Sequence, residues 1–267
     1  MIQWRPDAHR PRIIFPGGVR IDWIPEKDRR FFVDAQTQSD LDVFEERAGG
    51  RSLFELLDST RTRGGREKLR RLLAEPLSER PTLLARQSAI GYLGKPVHRR
   101  RWDLHLSDRM LHHLEQYLDS YIKPLDGELS LWIRGFWFRL GFPRYFEQLD
   151  TSVRQAHRLL STVQRARALA RTEQDEPPPF LAERGAILDA ILEEPRARRF
   201  LEEGGEHSRF RYARMLAHDH WLRREFFQEL RSLIRICYEV DALRALGRAA
   251  EGWGPGFPTS PIRAVSA

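Results

Sequence analysis

The chain contains a single cysteine, Cys237, so no disulfide can form within it, and a disulfide-braced secreted fold is excluded. Long apolar runs are also scarce. The richest one, residues 129–142, is interrupted by Arg134 and Arg139 and falls short of the roughly 20 residues that span a bilayer. The N-terminus has no apolar stretch of the kind that a secretory signal needs. These absences predict a cytoplasmic protein with no membrane partner.

The sequence motifs of common catalytic and metal sites are absent as well. A phosphate-binding loop of the form G-x-x-x-x-G-K-[ST] needs a glycine-framed lysine, and none of the four lysines stands in one. No H-E-x-x-H string and no cysteine pair is present. His218 and His220 are two positions apart, so on a helix they point to different faces and cannot readily bind one ion. We therefore predict that the chain is not an enzyme on its own, and that it has no catalytic residue, no metal site and no cofactor.

Helix signals, by contrast, follow one another closely in the first third of the chain. Ser52, with a glutamate three residues later, has the pattern of a capping box, which satisfies open amides at a helix start. Thr62 can cap the next helix, and Pro76 ends it because proline has no amide hydrogen to donate. A third helix opens near Ser78 and stops near Gly94. Three helices with such short connections must pack side by side.

The remaining chain predicts further helices and two other elements. The helices are one capped by Ser107, a buried tryptophan-rich one at 129–140, a long one at 143–171, and others near 181–193, 196–203 and 217–250. The last repeats apolar residues in alternating steps of four and three, and its roughly 33 residues would reach roughly 50 Å. A proline-rich linker is predicted at 172–180, and alternating apolar residues predict a small β-hairpin within 1–33. The predicted fold class is mainly α, a multi-helix bundle with long helices and this small N-terminal β-hairpin.

The charge balance favours a polyanionic partner. Lysine and arginine total 45 against 38 acidic residues, which gives a net charge of +7, and all but four of the basic residues are arginine. Guanidinium groups bind phosphate oxygens in a bidentate manner, so this composition suits DNA. The candidate DNA-binding residues lie on two basic helices: Arg61, Arg63, Arg66, Lys68 and Arg70 on the first, and Arg154, Arg158 and Arg165 on the second. The same pattern is also typical of a solvated surface or of an interface with an acidic domain.

Residues near both ends of the chain follow an ordered set of motifs. The first end follows L-D-x-x-T-x-x-x-L, with Val33 in place of the first leucine, then T-x-x-G-x-x-x-L-x-x-x-L-x-x-P-L and R-Q-x-x-I-x-x-L. The other end follows D-x-L-x-x-L-A-x-x-A. The positions that carry them include Asp34, Thr37, Leu41, Thr62, Gly65, Leu69, Pro76, Arg86 and Asp241. Together they resemble the opening and the end of the all-helical core, or lever, domain of MutS proteins, which act in DNA mismatch repair. Gly247 departs from the pattern, which prefers alanine there.

This resemblance implies an organisation and a set of partners. It implies a helical core domain at 34–251 and a tail at 252–267 that corresponds to the start of an ATPase domain. We expect the small β element at 1–33 to pack on this core. ATP and Mg²⁺ would then be bound only by an ATPase domain outside this sequence. The mismatch-reading domain has no counterpart here, and no strand-like run marks the family's DNA clamp. The expected partners are DNA, a MutS-type ATPase domain or partner chain, and a second copy of this chain.

We therefore predict a MutS-like core module that acts in DNA mismatch repair or recombination, binding DNA or coupling an ATPase to it. The alternative is a helical protein-interaction scaffold that has kept the fold and no longer binds DNA. Binding through several phosphates weakens linearly with the logarithm of the salt concentration, so a salt titration separates the two hypotheses.

Overall fold

The computed structural model of the protein describes residues 33–45, 50–104, 106–120, 143–171, 176–203 and 212–252. Within these ranges it contains eleven helices and no β-strand, which confirms the prediction of a mainly α fold. The helices are α1 (Ala35–Asp40), α2 (Leu53–Leu57), α3 (Arg63–Ala74), α4 (Arg80–Gly94), α5 (Pro96–Arg101), α6 (Asp108–Leu118), α7 (Pro143–Arg171), α8 (Pro179–Glu193), α9 (Pro195–Glu203), α10 (Tyr212–Arg224) and α11 (Phe227–Gly252).

Side-chain caps fix the starts of the first three helices. The carboxylate of Asp34 accepts the amide of Thr37 at 2.7 Å and begins α1. The predicted capping box at the start of α2 is confirmed, with Ser52 as its first residue. The hydroxyl of Thr62 accepts the amide of Gly65 at 3.0 Å and begins α3. These bonds satisfy amides that have no partner within the helix, so a capping residue in the local sequence marks where each helix starts.

Prolines mark the end of α3 and the start of α4. Helix α3 ends at Ala74, two residues before Pro76, as predicted. Helix α4 ends at Gly94, also as predicted, but it is preceded by Glu79 rather than by a cap at Ser78. Pro81 lies in the first turn of α4, where its missing amide hydrogen costs no helical hydrogen bond.

Helix α11 is the central element of the fold. It packs along α3 and α4 and also contacts α2, α6, α8 and α10. Fourteen of its 26 residues are buried, including the unbroken run 239–245, so no side of this part of the helix faces solvent. A helix that is buried all round belongs to the core, and 26 residues span about 39 Å.

Two groups of apolar side chains form the core. The larger one joins α7 to α6, α8, α9 and α10 and continues along α11, with fully buried members such as Leu114, Leu159 and Leu188. The smaller one lies between α2, α3 and α11 and consists of Phe54, Leu69, Ala242 and Ala245. The two small residues of α11 let α3 approach closely, because alanine side chains leave room for Leu69, which is fully buried.

The prediction of one continuous helix at 217–250 is wrong, because α10 and α11 are separate helices. The amide of Phe226 donates to the carbonyl of Trp221, five residues back, at 2.9 Å, and this ends the regular ladder. The carbonyl of Phe226 then accepts the amide of Leu230 at 3.0 Å and starts α11. The buried ring of Phe226 stacks on that of Trp221 with centroids 4.4 Å apart. No glycine or proline marks the break, and the apolar residues keep their helical spacing through it. The sequence therefore gives no sign of the break.

Several predictions fall wholly or partly outside the described residues. These are the β-hairpin within 1–33, the buried tryptophan-rich helix at 129–140 and the C-terminal tail at 252–267. The predicted linker at 172–180 is described only from 176, where three residues without regular structure precede α8. Among the helices of the described ranges, none is both long and apolar enough to cross a bilayer.

Candidate functional site

The carboxylate of Asp241 on α11 joins the last helix to the start of α3. Its Oδ2 atom accepts the hydroxyl of Thr62 at 2.7 Å, the amide of Thr62 at 2.9 Å and the amide of Arg61 at 3.0 Å. The same hydroxyl accepts the amide of Gly65, so the bonds run from Gly65 through Thr62 to Asp241. Two motif residues from opposite ends of the sequence thus form one contact. We call Asp241, Thr62 and Gly65 the α3–α11 junction.

The junction leaves no space for a side chain at Gly65. A Cβ atom built there would lie 2.3 Å from Oδ2 of Asp241 and 2.8 Å from Oγ1 of Thr62. A Cβ on the preceding Gly64 would lie 2.3 Å from the ring of Tyr238, which is also on α11. The first turn of α3 can therefore contact α11 because two consecutive glycines expose its backbone.

A second close approach lies further along the same helix, at Gly247. A Cβ on Gly247 of α11 would lie 2.8 Å from the carbonyl carbon of Leu93 and 2.9 Å from the amide nitrogen of Gly94, both at the end of α4. Backbone thus packs on backbone where α4 and α11 meet. The glycine that departs from the family pattern is what allows this contact.

A carboxylate between the helices extends the junction. Asp103, which follows α5, pairs with Arg61 at 2.9 Å and with Arg244 of α11 at 2.7 Å. Beside it lies a cavity of about 20 Å³, bordered by Thr62, Asp103, Asp241 and Arg244 among others, which suffices for about one water molecule. A cavity of this size cannot hold a nucleotide or another small organic ligand.

A buried ion-pair network continues from the junction towards α8. Glu239 of α11 pairs with Arg184 of α8 at 2.7 Å and with Lys68 of α3 at 3.4 Å. Burial alone would raise the pKa of Glu239, but the charges of Arg184 and Lys68 outweigh it and hold that pKa below its usual value. Lys68, a predicted DNA-binding residue, is thus part of the network that holds three helices together.

The network makes the stability of the fold depend on pH. Because the pKa of Glu239 is lower in the folded chain than in the unfolded one, its contribution is complete above the unfolded value of about 4.3 and is lost as the pH falls through the folded value. We expect Glu239→Gln to flatten the loss of stability as the pH falls below about 4.3, measured by urea unfolding at a series of pH values. Glu147→Gln, on the exposed side of α7, is the control and should keep the wild-type slope. An equally steep loss in Glu239→Gln would contradict this role.

The structure brings carboxylates to most of the candidate DNA-binding residues. The pairs are Arg61 with Asp103, Arg63 with Asp108, Arg66 with Asp58, Lys68 with Glu239, and Arg154 with Asp150. The exposed pairs among them add little to stability, but all five lower the net charge that a phosphate would meet. The two basic helices are therefore less positive in the folded protein than their sequences suggest.

Three of the candidates remain exposed and pair with no carboxylate among the described residues. They are Arg70 on α3 and Arg158 and Arg165 on α7. The guanidinium of Arg70 lies over the ring of Phe44, 4.6 Å from its centroid, which holds the side chain against the surface in a cation–π contact. Arg158 and Arg165 are seven positions apart, two helical turns, so they lie on one face of α7.

The other motif residues have structural positions. Asp34 and Thr37 form the cap of α1, Pro76 follows α3, and Arg86 is half-buried on α4. Leu41, by contrast, is 65% exposed after the end of α1. Sequence reasoning missed the acidic partners of the junction and of the network, above all Asp103 and Glu239. A charged residue within the apolar stripe of α11 was the one available signal for Glu239.

Comparison with known proteins agrees with this arrangement. A family model, MutS domain III, matches residues 36–251, which are 251 − 36 + 1 = 216 of the 267 residues. No curated protein matches the chain. The match begins within α1 and ends at the end of α11, so it includes both sides of the α3–α11 junction. The chain therefore belongs to the MutS family, and its helical body is the family's domain III, the core or lever domain.

Proposed function

We propose that this domain acts in DNA mismatch repair or recombination as a rigid lever that couples an ATPase to DNA. The ATPase would be supplied by another segment of the polypeptide or by a partner chain. The observation that carries the proposal is the α3–α11 junction, in which one buried carboxylate of the central helix accepts three hydrogen bonds from the start of α3. A displacement applied to α11 must then move α3 with it.

The packing around α11 supports a mechanical role. A helix of about 39 Å that contacts α3 and α4 along its length can carry a displacement across the domain without bending, since packed interiors resist compression. Gly247 fixes the end of α4 against α11, and Glu239 ties α8 and α3 to its middle. Together with the junction, these contacts lie within residues 239–247 of α11 and make α3, α4, α8 and α11 a single body in this proposal.

The proposed DNA contact lies on α7. Arg158 and Arg165 present two guanidinium groups on one exposed face, which fits successive phosphates of a DNA strand better than the paired arginines do. Among the eight candidate residues, which all lie in the described ranges, only three have no carboxylate partner there, so we expect the domain to bind DNA weakly and without sequence preference.

A salt titration of DNA binding tests this contact. We expect the affinity for duplex and branched DNA to fall linearly with the logarithm of the salt concentration. The double variant Arg158→Gln/Arg165→Gln should reduce the slope by about two, because each lost phosphate contact removes about one unit. Arg154→Gln is the matched control, and its slope should change less because Arg154 already pairs with Asp150. Fluorescence anisotropy with labelled DNA gives both slopes.

The scaffold alternative is favoured by a specific observation, the neutralisation of five of the eight candidate residues by carboxylates. If the domain holds other proteins rather than DNA, binding to both DNA forms should be absent or should not vary with salt. In that case the double variant would equal the wild type, and the lever would act between protein partners only.

A further inference from the structure

Four arginines gather beside the C-terminal half of α11. Arg61 precedes α3, Arg99 lies on α5, and Arg244 and Arg248 lie on α11. We call these four the arginine cluster. Positions 244, 248 and 251 of α11 are separated by four and three residues, so Arg244, Arg248 and Glu251 share one face of the helix. Neither the proposed lever nor the proposed DNA contact on α7 uses this concentration of guanidinium groups.

The carboxylates near the cluster are already engaged. Asp103 is divided between Arg61, at 2.9 Å, and Arg244, at 2.7 Å. Asp241 accepts the hydrogen bonds that begin α3. Glu251, whose side chain is nearly half exposed, pairs with Arg99 of α5 at 2.8 Å. Even if all three carboxylates are counted in full, four arginines leave a net charge of +1.

Arg248 is the member whose charge is least satisfied. Its Nη1 atom donates to the carbonyl of Ser59 at 3.2 Å, and no carboxylate of the described ranges forms an ion pair with it. Burial lowers the pKa of Arg248, and the neighbouring charges of Arg244, Arg61 and Arg99 lower it further. Buried guanidinium nitrogens of Arg99 and Arg244 also lack an acceptor. An anion at this place would relieve the repulsion among like charges.

We propose that the arginine cluster is a binding site for a phosphate group. Arg61 is about half exposed and Arg248 is partly exposed, so their guanidinium groups can contact the ligand, while Arg99 and Arg244 add charge from behind. Arginine forks match the oxygens of a phosphate in a bidentate manner. The neighbouring cavity holds only about one water, so the phosphate lies at the surface, over the guanidinium groups.

The site is separate from the proposed DNA contact on α7. Of the predicted DNA-binding residues only Arg61 belongs to it. The inference does not depend on the lever function, because a phosphate can bind here whether or not displacement passes along α11. Its position beside the α3–α11 junction does mean that a bound phosphate would stabilise the region where Arg61 and Asp103 meet α11.

Titration of the whole chain with inorganic phosphate tests the site. Phosphate is compared with chloride at matched ionic strength and pH, with the melting temperature and calorimetric binding as readouts. We expect phosphate to raise the melting temperature beyond the effect of chloride, and Arg248→Gln to weaken phosphate binding about tenfold or more. The matched control is Arg198→Gln, which removes the same charge from the exposed side of α9 and should keep the wild-type response. No response of the wild type beyond that of chloride, or an equal loss in both variants, would overturn the proposal.

Two additions keep the test decisive. Arg61→Gln changes a more exposed side chain and should also weaken phosphate binding, so it replaces Arg248→Gln if that variant does not fold. Unchanged phosphate binding in a folded Arg61→Gln would count against the site. Competition with a short DNA duplex then assigns the source of the phosphate. If inorganic phosphate displaces DNA and Arg248→Gln weakens DNA binding, the ligand is the DNA backbone, and otherwise it is a free phosphate compound.

Discussion

Asp241→Ala is expected to lower the free energy of unfolding by about 3 kcal/mol, because three donors at the start of α3 lose the acceptor that they share. Each donor left without a partner in a buried or half-buried place costs about 1–3 kcal/mol, while removal of a buried charge recovers part of that cost. Urea unfolding followed by circular dichroism gives the difference. We expect a loss of the first turn of α3 before the rest of the domain unfolds.

Two comparisons identify the cause of that loss. Asp241→Asn keeps one acceptor oxygen and the size of the side chain, so its cost should be smaller, about 1–2 kcal/mol. Asp150→Ala removes an acidic partner from the more exposed pair with Arg154 and should change stability by no more than about 0.5 kcal/mol. If Asp241→Ala were as mild as Asp150→Ala, the hydrogen bonds of the junction would contribute little and the coupling argument would fail.

Gly247→Ala should also destabilise the fold, by about 2 kcal/mol, although alanine is the better helix former. The added Cβ would lie 2.8 Å from the backbone of Leu93, and backbone atoms cannot move aside as a flexible side chain can. Overpacking of this kind costs about 1–3 kcal/mol or more, against a gain of about 1 kcal/mol in helix propensity. The steric cost therefore decides the sign. Chemical denaturation of the purified variant measures it.

Gly91→Ala is the matched control for this change. Gly91 lies inside α4, and a Cβ built there meets nothing within 4 Å, so alanine should stabilise the protein by about 0.5–1 kcal/mol. The two glycine substitutions thus have opposite expected signs in neighbouring helices. A stabilising effect of Gly247→Ala would show that α4 can move away from α11 at no cost, which contradicts the rigid contact.

Local signals in the sequence were sufficient for most helix boundaries. Pro143 and the residues after Arg171 bound a helix of 29 residues that was predicted with the same limits, because proline and the polar linker act at short range. The capping box at Ser52 likewise depends on residues three positions apart. The break at Phe226 could not be predicted in this way. It arises from a ring stacked on Trp221 within the core, and packing of that kind leaves no mark on the spacing of apolar residues.

The net charge of the basic surfaces could not be predicted from the sequence. A run of arginines predicts a basic helix, but carboxylates that neutralise it can come from distant elements, as Asp103 does for Arg61 and Glu239 for Lys68. Only the tertiary structure brings them together. The motif residue Asp241 was found by resemblance, and its contact with Thr62, 179 positions away, gives that motif a physical reason.

Native-state hydrogen exchange of the helix amides tests the central claim most directly, namely that α3, α4 and α11 behave as one body. The account predicts that the interior amides of these three helices have the same opening free energy. As denaturant is added, that free energy should become equal to the free energy of global unfolding. In Asp241→Ala the amides of α3 should have a lower opening free energy than those of α4 and α11, and they should exchange faster. If the α3 amides of the wild type already open at a free energy about 2 kcal/mol or more below those of α11, the helices are not coupled and the lever account is contradicted.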